Sequence, residues 1–394
     1  ILFYLYSFVG IEQRFVMHLA LGTSFSIIIP TSIISTMTHM KFKAVDFSIV
    51  KIFGAFVVIG VVFGTIFSDH MFCMEWEEGK GWHNAEIKPY GPLMLEPSSM
   101  VLHYAQMSFE GLKAYQTDSG EHVLFRPREN FKRMNRTSLR MCLPELDVEE
   151  VLTALKQLLR LDSGWVPNEA GTSLYIRPTI LATEEAIGLK VSSKYLFYII
   201  LSPVGPYYSQ GFNPVKIMVS DKYVRAVPGG VGFAKTGGNY AASNLAEKEA
   251  KELGYTQVLW LDAVERRYIE EVGAMNIFFV INDEIVTPQL TGSILPGITR
   301  MSVLELGKYW GLKVKEGRIT IDEVLNGLKD GTVSEVFGAG TAAVISPVGT
   351  LSYKGEDYQV SDGETGPVAM RFYEHLTGIQ YGKEADPFDW VESI

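Results

Sequence analysis

The segment Gly232-Phe233-Ala234-Lys235-Thr236-Gly237-Gly238-Asn239-Tyr240 sets one lysine in a glycine-flanked loop, with an aromatic hydroxyl five residues on. A lysine whose pKa is lowered by its surroundings condenses with an aldehyde, so this loop suits Schiff-base chemistry with an aldehyde cofactor. Gly237 and Gly238 lack a Cβ, which lets the backbone turn sharply and approach a bound group. Tyr240 could donate a hydrogen bond beside the imine. Lys-x-Gly-Gly also occurs in ordinary surface turns, so spacing alone leaves both readings open.

Other segments carry groups that could serve the same chemistry. Arg126, Arg128, Lys132, Arg133, Arg136 and Arg140 form a basic run. Arg133, Arg136 and Arg140 recur at spacings of three and four, near one helical face. Such a run is either a solvated face or a phosphate site built on one arginine fork. Ile269-Glu270-Glu271-Val272 offers a carboxylate before a strand; facing a pyridine nitrogen, it would keep that nitrogen protonated. Elsewhere a Glu-Glu pair is plain surface charge. Leu295-Pro296-Gly297-Ile298-Thr299-Arg300 leads into a helix, with Thr299 suited to its N-cap and free N–H groups suited to phosphate. Phe337-Gly338-Ala339-Gly340-Thr341-Ala342-Ala343 fits the loose dinucleotide pattern but lacks a following βαβ unit, which favours a small anion nest instead. Ser173–Pro178 and Pro206-Tyr207-Tyr208 supply an arginine and several tyrosines, for packing at a domain junction or for a pocket.

The elements that must position these groups read as a mixture. Short apolar runs at Val123–Phe125, Ser173–Ile176 and Tyr195–Leu201 alternate with a helical stretch from Glu129 and another over Val148–Leu161. In the latter, Val151, Leu152, Leu155, Leu158 and Leu159 recur at helix spacing. After the breaker cluster Ser202–Pro206 come strand patterns at Lys216–Ser220, Gln257–Leu261 and Ile277–Ile281 and helix patterns at Ala242–Leu253 and Arg300–Tyr309. The expectation is two α+β domains, 69–203 and 204–394, with the site in the cleft between them.

Residues 1–68 differ from the rest. They hold four cations and two carboxylates, net +2, so the remainder carries −12 towards the total of −10. An acidic catalytic part disfavours nucleic-acid partners. Phe15–Met40 and Ile52–Ser68 are uncharged runs; the first is long enough to cross a bilayer and the second is at the short limit. Lys41, Lys43 and Lys51 would place the connecting loop inside, and a second span would then carry residue 69 outside. That conflicts with intracellular chemistry and favours a chimera of unrelated pieces, truncated at its start. Two cysteines and scattered histidines give neither a disulfide framework nor a metal site.

Eight separated motifs, in order over roughly residues 63–394, closely resemble the branched-chain aminotransferases of the fold-type IV pyridoxal-phosphate enzymes. They are Leu102-His103-Tyr104, Phe109–Lys113, Phe125-Arg126-Pro127, Ser173–Pro178, Lys235–Tyr240, Glu271–Asn276, Pro296–Arg300 and Gly340–Ala342. The resemblance implies that Lys235 is the Schiff-base lysine and proton shuttle, that Glu271 pairs with the pyridine nitrogen and that Tyr240 pairs with the ring oxygen. It implies that Arg133 holds the phosphate, assisted by the Ile298 and Thr299 backbone and Thr341. Thr341 and Ala342 would bind the substrate carboxylate. Phe63, Tyr104, Phe109, Tyr175, Arg177 and Tyr207 would line the pocket, some across a homodimer interface. The implied reaction is ping-pong transamination of leucine, isoleucine or valine with 2-oxoglutarate, giving 2-oxo acids and glutamate. Residues 1–68, through Leu21-Gly22-Thr23-Ser24, Ile29-Pro30-Thr31-Ser32 and Lys43-Ala44-Val45-Asp46, resemble a fragment of a sulfite-exporter-like membrane permease, which implies membrane association for that piece and a cytoplasmic catalytic part.

Some relatives carry a Cys-x-x-Cys redox pair after the Thr-Ala motif; Ala343 and Ser346 stand there in this chain. The rival readings are a D-amino-acid aminotransferase or aminodeoxychorismate lyase of the same fold, and a membrane transport fragment with an inactive tail.

Overall fold

The computed structural model describes residues 66–205 and 212–394. Phe63, Tyr207 and the hydrophobic runs up to residue 65 lie outside them. Residues 67–394 form one compact unit. No helix among the described residues is long and apolar enough to cross a membrane.

The unit is built on two sheets. The first contains β1 (His70–Glu77), β2 (Gly81–Pro89), β3 (Met107–Phe109), β4 (Leu112–Gln116), β5 (His122–Phe125), β6 (Ser173–Ala182) and β7 (Lys194–Val204). The second contains β8 (Val215–Val219), β9 (Gln257–Leu261), β10 (Ile269–Val272), β11 (Met275–Ile281), β12 (Glu284–Pro288), β13 (Val314–Gly317), β14 (Val333–Gly340), β15 (Val344–Tyr353) and β16 (Glu356–Gln359). A last strand, β17 (Val391–Ser393), returns to the first sheet and pairs with β5.

The first sheet is antiparallel, in the order β17-β5-β4-β6-β7-β1-β2, with β3 beside β6. Strict alternation sorts its faces. Leu174, Ile176, Ile180 and Ala182 of β6, Leu112 and Ala114 of β4, and Tyr195, Phe197, Ile199 and Leu201 of β7 enter the core. Ser173, Tyr175 and Arg177 therefore share the opposite face of β6, and Lys113 stands across from Tyr175. Two helices cover the core face: α1 (Pro127–Met141) and α2 (Val148–Leu161). In α2 the residues expected inside are the buried ones, Val151, Leu152, Leu155, Leu158 and Leu159, and Asp147 caps its first turn.

The second sheet runs β10-β9-β8-β15-β14-β11-β12-β13, and β10 also pairs with β11. That last pairing closes six strands into a barrel, which removes their free edges. Helices α3 (Asn244–Glu252), α4 (Ile298–Tyr309), α5 (Ile321–Asp330) and α6 (Pro367–Gln380), with the short helical turns Met100–Tyr104 and Gly237–Ala241, complete the unit. The expected N-cap Thr299 is a correction: Gly297 holds that position, and Ile298 and Thr299 lie inside the first turn. The cap must be glycine, because a Cβ there would sit 2.1 Å from Asn276 Oδ1.

Candidate active site

The lysine loop is held by its neighbours on both sides. The Lys235 N–H donates to Thr137 Oγ1 at 3.0 Å, the Lys235 carbonyl accepts from the Phe109 N–H at 3.1 Å, and Thr236 Oγ1 donates to the Met107 carbonyl at 2.7 Å. Asn239 Nδ2 closes the loop on the Val231 and Ala234 carbonyls, both at 2.7 Å. These contacts aim the amine inward. Lys235 Nζ donates to Tyr240 Oη at 2.8 Å and lies 4.8 Å from the centre of the Phe109 ring. Burial, and then the charge of Arg133, lower the amine to about 8. A lysine so placed reaches the neutral state that a nucleophile or base requires in a minority of molecules near physiological pH, a far larger share than for an ordinary lysine.

Of Arg133, Arg136 and Arg140, only Arg133 turns inward; the other two are exposed, as a solvated face requires. Helix α1 presents a buried polar stripe, Asn130, Arg133 and Thr137, at spacings of three and four. Its ion-pair partner had no signal in the sequence. Glu110 is fully buried and grips the guanidinium as a fork, Oε1 to Nε at 2.7 Å and Oε2 to Nη2 at 2.8 Å. Asn130 Nδ2 adds a 2.9 Å bond to Oε2. Burial pushes the Glu110 carboxyl up, but the Arg133 guanidinium outweighs it and holds the group below its ordinary value. The remaining nitrogen, Nη1, reaches the Pro296 carbonyl at 3.2 Å, directly before the start of α4. Arg133 and the first turn of α4 thus converge, and no side chain caps that turn. An arginine edge beside free helix N–H groups is an anion site.

Glu270 and Glu271 are both buried, which overturns the surface-charge reading of the pair. Glu270 accepts from Ser293 Oγ. Glu271 Oε1 accepts from the Leu295 N–H at 3.2 Å and Asn276 Nδ2 at 3.3 Å, while Oε2 pairs with Arg225. Burial pushes the Glu271 carboxyl up to about 7 against the pull of Arg225. Glu271 and Lys235 are near enough for each charge to act on the other, and burial together with Glu271 raises the Tyr240 phenol to about 12.

On the β6 face, Arg177 Nη2 donates to Tyr175 Oη at 3.1 Å, and its guanidinium lies over the Phe109 ring at 4.8 Å. Thr341 and Ala342 form the turn between β14 and β15, where Lys113 Nζ donates to the Ala342 carbonyl at 2.8 Å. The structure therefore brings together Arg133, Lys235, Tyr240, Glu271, Phe109, Tyr175 and Arg177. Tyr104 is exposed, with its hydroxyl on the Ile187 carbonyl. The dinucleotide-like glycines, Gly338 and Gly340, are both strand residues of β14.

Taken chemically, the set offers one end for an anion, one carboxylate for a cationic ring nitrogen, and an amine of lowered pKa next to a phenol. That donor set fits pyridoxal phosphate.

Comparisons with known proteins agree. Residues 107–351 match the family model of amino-transferase class IV, and residues 1–73 match that of sulfite exporter TauE/SafE. The chain is 57% identical over 333 residues to branched-chain-amino-acid transaminase 1 of Bacillus subtilis strain 168, covering 84% of this chain and 94% of that one. It is 54% identical over 332 residues to branched-chain-amino-acid aminotransferase 2 of the same organism, covering 84% and 92%. Among solved structures, the Escherichia coli branched-chain amino acid aminotransferase superposes with a TM-score of 0.69 at 29% identity, covering 82% of this chain and 99% of that one. The T.th. branched-chain amino acid aminotransferase with pyridoxamine 5'-phosphate does so with a TM-score of 0.67 at 27% identity, covering 81% and 97%.

Proposed function

This chain belongs to the class IV aminotransferases and is a branched-chain-amino-acid transaminase that works with pyridoxal phosphate, and on that premise we propose how its own residues divide the work. It moves the amino group of leucine, isoleucine or valine to 2-oxoglutarate, releasing a branched 2-oxo acid and glutamate. When bound, pyridoxal phosphate supplies an electron-withdrawing ring that delocalises the electron pair left as the substrate Cα loses its proton. Lys235 would hold the aldehyde end, Tyr240 the ring oxygen and Glu271 the ring nitrogen. Arg133, the Ile298 and Thr299 N–H groups and Thr341 would hold the phosphate.

Lys235 is the catalytic base that takes the substrate Cα proton, and its amine at about 8 suits that transfer near neutral pH. The Thr341 and Ala342 N–H groups orient the substrate α-carboxylate. Phe109 and Tyr175 supply apolar wall for a branched side chain. Arg177, stacked on Phe109, presents a guanidinium edge to the distal carboxylate of 2-oxoglutarate, so one pocket accepts both partners. Tyr104, exposed in the single chain, would extend that wall at the dimer interface. Exposed Leu102, Tyr104, Ile187, Leu189 and Val191 support a homodimer in which part of the wall comes from the partner subunit. The two sheets, which apart from the returning strand β17 lie on either side of Val204 along the chain, support a small domain over 69–203 and a large one over 204–394. Residues 1–68 take no part in catalysis, and the catalytic part works in the cytoplasm, where its substrates are.

The observation that carries these roles is the convergence of the Lys235 amine on the Tyr240 hydroxyl, between one buried arginine and one buried carboxylate. Purified protein should be yellow, and its visible band should shift on adding L-leucine. Lys235→Ala should lose both the leucine response and all turnover. A faster turnover with D-alanine or aminodeoxychorismate than with L-leucine would overturn the substrate assignment.

A further inference from the structure

Arg225 precedes the lysine loop and belongs to none of the motifs read from the sequence. It is buried among three segments that each carry one part of the site. Its Nη2 donates to the Gly232 carbonyl at 3.1 Å, at the head of the lysine loop, and to the Ser293 carbonyl at 2.6 Å, in the segment that leads to α4. The same nitrogen pairs with Glu271 Oε2, and Nε is buried without a hydrogen-bond partner. A buried guanidinium is costly unless a carboxylate balances it, and Glu271 is the carboxylate it touches.

We propose that Arg225 is a positioning residue that favours the ionised form of Glu271 through their ion pair and, through its two carbonyl contacts, holds the lysine loop and the approach to α4 in register with that carboxylate. The inference rests on the reading that Glu271 faces the ring nitrogen of pyridoxal phosphate.

The groups around Glu271 explain why one arginine matters so much. Glu270, next to it along β10, opposes its charge; Lys235 favours it, and only while protonated. The Leu295 N–H and Asn276 Nδ2 bind Oε1, and Tyr240 is a neutral phenol at physiological pH. Arg225 is the permanent cation in direct contact. Without it, burial and Glu270 leave Glu271 protonated at neutral pH, and a neutral carboxyl holds a protonated ring nitrogen weakly.

The test is cofactor affinity. The full chain, stripped and titrated with pyridoxal phosphate at several pH values between about 6.5 and 9, gives a Kd for each variant relative to the unsubstituted protein at the same pH. Arg225→Met should bind about tenfold more weakly at the acid end and approach the parent at the alkaline end, where Glu271 ionises unaided. Arg225→Lys should show a smaller deficit throughout. Glu271→Gln should lose affinity by a factor independent of pH, and adding Arg225→Met to it should cost nothing further. A deficit for Arg225→Met that is equal at every pH, or that adds in full to Glu271→Gln, would mean a merely structural role and overturn the inference. Full affinity in Glu271→Gln alone would instead overturn the placement of Glu271 and the inference with it. Should Arg225→Met fail to fold, Arg225→Lys and the double variant, which leaves no buried charge unpaired, carry the same comparisons.

Discussion

Two buried arginine–carboxylate pairs flank Lys235, and the one formed by Glu110 and Arg133 has a consequence for the anion site. Removing one partner of such a pair strands the other charge, at a cost of roughly 3–5 kcal/mol. Glu110→Ala should therefore lower the unfolding free energy of the cofactor-free protein by roughly that amount in urea titrations. Inorganic phosphate should return more stability to the variant than to the parent, because an anion can take the place of the lost carboxylate. No stabilisation of the variant by phosphate would show that Arg133 is closed to anions. The fork also explains why Arg133→Lys is not a mild change: a single ammonium cannot serve Glu110 on one edge and Pro296 on the other.

The elements fix how closely side chains approach one another. Gly111 sits between β3 and β4, and a Cβ there would lie 2.1 Å from Tyr175 Oη. Gly111→Ala must push that ring aside and break its bond to Arg177. The expected result is a roughly ten- to hundredfold loss in kcat/KM for leucine and 2-oxoglutarate, with the urea midpoint nearly unchanged. Paired losses of stability and activity would point to a folding defect instead. Local periodicity made several elements readable in advance. The helix Val148–Leu161 and the strand Gln257–Leu261 have the bounds their patterns predicted. The residues that gather around Lys235 could likewise be named in advance, because family motifs are short stretches of chain; their roles remain the proposal made above. What sequence could not carry was pairing across distance. Glu110 meets Arg133 from 23 residues away, and only because β3 lies beside α1. Arg225 follows β8 and meets Glu271 of β10 only because β9 lies between those two strands in the sheet. Neither carboxylate nor guanidinium carries a local mark of its partner. Thr299 looked like a cap because its type suits one, but the close approach of Asn276 demands a residue with no side chain at Gly297.

At the scale of the molecule, residues 67–394 hold both sheets, both ion pairs and every described site residue. A chain starting at residue 67 should bind pyridoxal phosphate and answer L-leucine with the same band shift and the same KM as the full chain. A failure to take up the cofactor would show that the hydrophobic leader is needed for folding. The strand Val391–Ser393 sets a further condition on how the enzyme comes into being. It seals the edge of β5, and the Arg126 N–H just beyond that strand bonds the Trp390 carbonyl at 2.7 Å, at the start of the helix that carries Arg133. During synthesis, the arginine-bearing helix of the proposed anion site keeps one border open until this strand, the last among the described residues, has been made. Loading with the vitamin should accordingly follow the docking of that strand.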